Sequence, residues 1–169
     1  MDRVTTAPAP TTLGELRAAG HEHKTVKAEI RDNLLARLAA GSDPFPGILG
    51  FDDTVLPEVE RALLAGHDLV LLGERGQGKT RLIRTISGLL DEWTPVVQGC
   101  EINDHPYAPS CVRCIRLVEE KGDATPVAWK SRRDRYGEKL ATPDTSVGDL
   151  IGDVDPIKVA EGRTLGDPE

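Results

Sequence analysis

The chain has 169 residues, with 28 acidic against 21 basic side chains, 17 glycines, 12 prolines and only 4% aromatic residues. That length allows one core of useful size with much loop around it. The net charge of −7 argues against general affinity for nucleic acid or anionic membranes. No apolar run approaches the ~20 residues that span a bilayer and no signal peptide opens the chain, so a cytoplasmic protein without membrane or nucleic-acid partners is expected.

Residues 1–12, rich in Thr, Ala and Pro, read as a disordered tail. Leu13 to Ala19 is predicted as a short helix stopped at Gly20. Val26, Ile30, Leu34, Leu35 and Leu38 mark one face of a longer helix, with Gly41 placed for a left-handed cap. Residues 13–43 are therefore a helical N-terminal segment. Asp43-Pro44-Phe45-Pro46-Gly47 is a rigid turn, followed by apolar Ile48, Leu49 and Phe51. A helix bearing Val55, Val59, Leu63 and Leu64 then runs to Gly66, with Pro57 tolerable only in its first turn.

Leu69-Val70-Leu71-Leu72 is a continuous apolar run, the pattern of a parallel strand buried on both faces. Directly after it, Gly73-Glu74-Arg75-Gly76-Gln77-Gly78-Lys79-Thr80 fits the phosphate-binding pattern G-x-x-x-x-G-K-[ST]. The glycines let successive N–H groups converge on phosphate oxygens, and the next helix, marked by Leu82, Ile83, Ile86, Leu89 and Leu90, presents its positive end there. In this pattern Lys79 reaches the β- and γ-phosphates and Thr80 holds magnesium. From Leu71 to Thr85 the cations Arg75, Lys79, Arg81 and Arg84 face one anion, Glu74, so this stretch is basic within an acidic chain. Pro95-Val96-Val97-Gln98 is predicted as the next strand. Strand, loop, helix, strand implies an α/β fold, a parallel sheet with helices on both faces.

Residues 99–140 are less regular, with a short helix expected through Val112, Ile115 and Val118 and a short strand at Val127-Ala128-Trp129. Cys100, Cys111 and Cys114 fall within fifteen positions, with His105 between them. Cys111-x-x-Cys114 has the spacing of a zinc knuckle, and Cys100 with His105 completes one tetrahedral set; reduced structural cysteines and a redox pair are the alternatives. His21, His23 and His67 have no such company. Lys130, Arg132, Arg133, Arg135 and Lys139 form a basic stretch, read as a solvated loop or a surface for nucleotide or a neighbouring subunit. Asp155-Pro156 opens a last helix expected through Val159 to Glu161.

Phosphate-loop ATPases also use an apolar strand ending in an acid to place magnesium and water. Asp149-Leu150-Ile151-Gly152-Asp153 is the nearest candidate and makes a poor buried strand, so that acid is expected beyond Glu169, in a longer protein.

Pro44 to Gly50, the helix ending at Ala65-Gly66, Val70 to Leu72 and the Gly73–Thr80 loop together resemble the start of the AAA+ module in the magnesium-chelatase ATPase subunit (subunit I) and the MoxR ATPases. The Gly-acid-Arg-Gly-x-Gly-Lys form of the loop is most similar to the chelatase subunit. Ala141-Thr142-Pro143-Asp144, Gly152 to Lys158 and Glu161-Gly162 resemble the stretch before that family's second acidic motif. The resemblance implies that residues 44–169 are the first part of an AAA+ phosphate-loop domain, incomplete here, with residues 99–140 a cysteine-bearing insertion. It further implies an ATP- and magnesium-using ATPase, assembled as a homo-oligomeric ring, usually hexameric, that remodels a partner protein. Ile48, Leu49 and Phe51 correspond to the segment that lines the adenine pocket. Two rivals remain at this point: a small-molecule kinase or other non-ring NTPase, and a zinc-organised, nucleotide-gated binding module.

Overall fold

The computed structural model describes residues 6–140, 142–152 and 156–160. Asp153, Asp155, Glu161 and Gly162 lie outside the described residues. The chain divides into two compact units, one formed by Glu22–Thr94 and the other by Thr6–His21 with the residues from Pro95 onward.

The first unit holds α2 (Val26–Ala39), α3 (Val55–Leu64) and α4 (Lys79–Ser87). The Thr25 hydroxyl accepts the Ala28 N–H at the start of α2, a cap of the kind that stabilises a helix by about 1 kcal/mol. Of the apolar positions expected on α2, Leu34 is buried and Ile30 packs against the core, while Val26, Leu35 and Leu38 are exposed. The buried surface of α2 is partly polar instead. Glu29 accepts the Asp91 N–H at 2.5 Å, Asn33 donates to the Leu89 carbonyl at 2.8 Å, and Arg37 donates to the Gly88 and Pro44 carbonyls. The bonds to Asp91, Leu89 and Gly88 satisfy backbone groups just after α4, where a helix end leaves orphan carbonyls, and the bond to Pro44 holds the turn after α2. The core gathers Leu34, Phe45, Ile48, Leu56, Val59, Leu63, Leu82 and Leu89, so the turn at Pro44 to Gly47 and both flanking helices contribute to one apolar cluster.

The second unit is built on α1 (Leu13–Ala18), β1 (Trp93–Val97), α5 (Val112–Lys121) and β2 (Val127–Ser131), with β1 beginning two residues before the unit does. The Gln98 N–H donates to the Pro126 carbonyl, which joins the C-terminal end of β1 to the N-terminal end of β2, so the two run antiparallel. Pro10 to Thr12, in the stretch that composition makes a tail, are tied into this unit. The Val127 N–H donates to Thr11, the Leu13 N–H donates to Thr125, and the Trp129 indole donates to the Pro10 carbonyl at 2.7 Å. Leu13 and Leu16 are fully buried. Gly14 sits so close to the 3-10 turn Gly122–Ala124 that a Cβ there would lie 2.9 Å from Asp123 Cβ. Further on are α6 (Val147–Ile151) and α7 (Pro156–Ala160).

The expected parallel sheet is not formed among the described residues: their sheet is the two-stranded β1–β2 pair. A strand–helix–strand crossover would have laid β1 beside Leu69–Leu72, but β1 takes its hydrogen bonds from a strand thirty residues downstream. Leu69–Leu72 is not a ladder strand, and it is not buried on both faces. Leu69 and Leu71 pack on the core, whereas Val70 and Leu72 are 83% and 90% exposed.

Candidate nucleotide site and cysteine cluster

The loop between Leu72 and α4 is shaped by glycine. Gly73, Gly76 and Gly78 have φ of 152°, 83° and 76°, values that L side chains rarely adopt. Gly78 is the N-cap of α4 in the left-handed region and offers no side chain to the helix's first N–H groups; no acid sits in that first turn. An anion site at a helix start needs that combination. Gly73 has a second constraint, since a Cβ there would come within 2.2 Å of the Gln77 side-chain oxygen.

Lys79 folds back over the loop, its Nζ donating to the Gly73 carbonyl at 2.8 Å and the Glu74 carbonyl at 2.5 Å. Both acceptors are neutral. Hydrogen bonds to an ionised acceptor are roughly twice as strong, so a phosphate would draw the ammonium away from them. Thr80 and Arg81 are exposed on the first turn of α4, beside Lys79.

Beside this loop lies a cavity of about 390 Å³ lined by Gly76, Gln77, Gly78, Lys79, Arg81 and Leu82 together with Gly47, Ile48, Leu49, Phe51, Val55, Leu56, Leu71 and Leu72. That volume is in the range of small-molecule sites. One end is therefore glycine loop, lysine and arginine, and the other is aliphatic and aromatic. Leu49 and Leu72 are 84% and 90% exposed, two large apolar side chains with little of their own surface covered. The structure thus brings the Ile48, Leu49 and Phe51 segment to the phosphate loop, a juxtaposition that spacing in the sequence could not supply. Glu74 and Arg75 are exposed on the loop and do not line the cavity.

Asp149, the nearest acid to a second magnesium motif, is used otherwise. Its carboxylate accepts from the Ser146 N–H and hydroxyl while the Ser146 hydroxyl accepts the Asp149 N–H, a reciprocal cap at the start of α6 that lowers its pKa from the usual value. Asp149 to Ile151 is helical and not a strand end.

The second unit brings the three cysteines together, but with a different fourth member. One ligand-type atom from each of Cys100, Asp104, Cys111 and Cys114 falls within 4.8 Å of the others. His105, the expected fourth member, points elsewhere. Its Nδ1 accepts the Tyr107 N–H, and its Nε2 lies 3.3 Å from Nε2 of His21, with the two rings stacked. His21 in turn meets Tyr107 and Trp129 edge-on. The reason for the exchange is local backbone. Asn103 has φ of 59°, and the turn it makes sends the Asp104 N–H to Cys100 Sγ at 3.3 Å and its carboxylate toward Ser110 and Cys111.

Asp104 is buried and organises the loop: its Oδ1 accepts the Ser110 hydroxyl at 2.6 Å, and its Oδ2 accepts the N–H groups of Ser110 and Cys111. Burial alone would raise its pKa, yet these donors hold it down to about 2. Cys111 is the N-cap of α5, its sulfur accepting the Cys114 N–H at 3.3 Å. Burial pushes the Cys111 and Cys114 thiols up, Cys114 further because the other two sulfurs crowd it; at Cys100 burial is outweighed by the donors at its sulfur and the thiol falls below its usual value.

The chain is similar to a named ATP-binding protein. That relative is the hemin import ATP-binding protein HmuV of Nocardia farcinica (strain IFM 10152), 34% identical over 99 residues, which is 56% of this chain and 31% of the relative. The chain thus spans about a third of the length of the curated relative it matches. With the Gly73 loop, this gives a distant relationship to P-loop ATPases. No protein-family model and no solved structure matches the chain. Among the described residues no helix is long and apolar enough to cross a membrane.

Proposed function

We propose that this chain binds Mg-ATP as part of an AAA+ ATPase of the magnesium-chelatase type. The observation that carries the reading is the cavity that Gly76 to Lys79 share with Ile48, Leu49 and Phe51, because a nucleoside triphosphate needs both ends at once. Gly76 to Gly78 would cradle the phosphates by backbone N–H, Lys79 would exchange its two carbonyl acceptors for phosphate oxygens, and the apolar wall would take the base. The exposed Thr80 hydroxyl, adjoining Lys79 at the start of α4, fits a magnesium ligand, and magnesium there would neutralise phosphate charge.

The full protein would then form a nucleotide-dependent ring, hexameric by resemblance, that remodels a partner protein. Binding by residues 1–169 is separable from turnover, since Asp149 is committed to a helix cap. Lys79→Ala should weaken ATP binding by more than about 100-fold in titration calorimetry, as expected when a charged phosphate contact is lost. Unchanged affinity sinks the proposal. Comparing ATP with inorganic tripolyphosphate reads the apolar end, which should favour ATP.

A second reading, an ATP-binding component of an import system, is favoured by the similarity to HmuV. Sizing the full-length protein with ATP separates the two: a ring supports the first, while a small species that co-purifies with a membrane permease supports the second.

A further inference from the structure

We infer that Cys100, Asp104, Cys111 and Cys114 hold one zinc ion in a closed, structural site of three thiolates and one carboxylate. The proposal is independent of the nucleotide site.

Geometry selects a single ion. With zinc–sulfur bonds near 2.3 Å, the edge of a tetrahedron of thiolates is about 3.8 Å. The four donor groups lie within 4.8 Å of one another, a small adjustment from that sphere. An iron–sulfur cluster would need its thiolates spread around several metal atoms. Three soft thiolates with one hard carboxylate suit zinc better than copper(I), which prefers sulfur alone.

The loop is also wired as a ligand shell. Cys100 Sγ and Cys111 Sγ each accept a backbone N–H at 3.3 Å, and Arg113 Nη1 lies 3.8 Å from Cys114 Sγ. These donors spread negative charge that three sulfurs would otherwise concentrate. An ionised carboxylate has about four acceptor positions. The Ser110 hydroxyl and the N–H groups of Ser110 and Cys111 take three on Asp104, and the fourth meets the Cys111 thiol, whose proton an ion would replace. Such outer hydrogen bonds orient a ligating carboxylate. On binding, each thiol gives its proton to solvent and its sulfur lone pair to the ion, with no change of oxidation state. Four protein donors leave no open position, so the site holds structure and performs no chemistry. It fixes the turn between β1 and α5, and with it His105 against His21.

The full chain, made without a histidine tag and purified under reducing conditions, should carry one zinc per chain by elemental analysis. Cys100→Ser, Cys111→Ser and Cys114→Ser should each weaken zinc binding by more than about 100-fold, beyond the loss of an outer partner. Where a cysteine variant fails to fold, cobalt(II) substitution decides. Asp104→Asn should shift the cobalt absorption bands, while His105→Ala should keep one zinc per chain and the native bands. Iron instead of zinc, zinc well below one per chain after incubation with zinc chloride, or a disulfide among the three cysteines overturns the proposal. So does an Asp104→Asn spectrum that does not move, or a His105→Ala spectrum that does.

Discussion

The phosphate loop of the first unit and the cysteine loop of the second are ordered by opposite means. From Gly73 to Lys79 the shape comes from backbone: three glycines at positive φ, and a lysine held by two carbonyls. From Cys100 to Cys114 it comes from side chains: one buried carboxylate gathers three donors, and two sulfurs each accept an N–H. The first design stands beside a cavity, its lysine resting on neutral carbonyls that an anion would displace. The second turns them on one another. A site open to exchange and a site closed around its own atoms follow from that difference.

Substitutions can break or sharpen this contrast. The largest effect is expected from Asp104→Ala, which strands donors that a side chain had satisfied and should cost at least about 3 kcal/mol. Amide hydrogen exchange should show the loss of protection across Thr6–His21 and Pro95–Ser131, with Glu22–Thr94 untouched; a loss spread evenly over both would dissolve the contrast. Next is Gly78→Ala, where φ of 76° imposes about 1–2 kcal/mol of strain without any clash, so ATP affinity should fall about tenfold while the cysteine loop keeps its exchange protection. Gly73→Ala adds contact with Gln77, and the further change Gln77→Ala should recover only the contact part, because the backbone strain stays. Trp129→Phe removes the indole bond to Pro10 and should cost about 1 kcal/mol in urea unfolding, again within the second unit.

The smallest effect concerns pH. The Glu15 carboxyl lies below its ordinary 4.5 because the Thr11 N–H and hydroxyl donate to it. A depressed pKa stabilises the folded state fully above 4.5 and less as the pH falls through the lowered value. Exchange protection of α1 should be flat from about pH 8 to about pH 5 and decline below that, and Glu15→Gln should flatten the decline.

Much of the helical structure was legible. The apolar spacing of α3 and the breaks at Gly20, Gly41 and Gly66 are local signals, and they fix helices to within a residue or two. The phosphate loop was legible for the same reason, since glycine positions encode its backbone directly. The sheet was not. Whether Leu69–Leu72 finds partners on both edges depends on strands far away in sequence, and a run of four apolar residues reads as buried on both faces even when Val70 and Leu72 face outward. The cysteine cluster was half legible. Clustering of three sulfurs shows in the spacing, but the choice between Asp104 and its neighbour His105 turns on the left-handed backbone of Asn103. Asn followed by Asp is a turn signal that could have indicated which side chain would turn inward. The apolar end of the cavity beside the glycine loop could be placed from sequence only by resemblance, because Ile48 and Gly76 are brought together by packing and not by spacing.

The division of the chain has a consequence for how it folds. Glu22–Thr94 is one unbroken stretch, so its contacts can close as soon as that stretch is free of the ribosome. The second unit is interrupted: its opening segment must wait for Trp129, 119 residues further on, before Pro10 finds its donor. Long-range closure of that kind slows folding. The unit holding the glycine loop is thus expected to mature first, and the unit carrying the cysteines only after both of its own segments have been made.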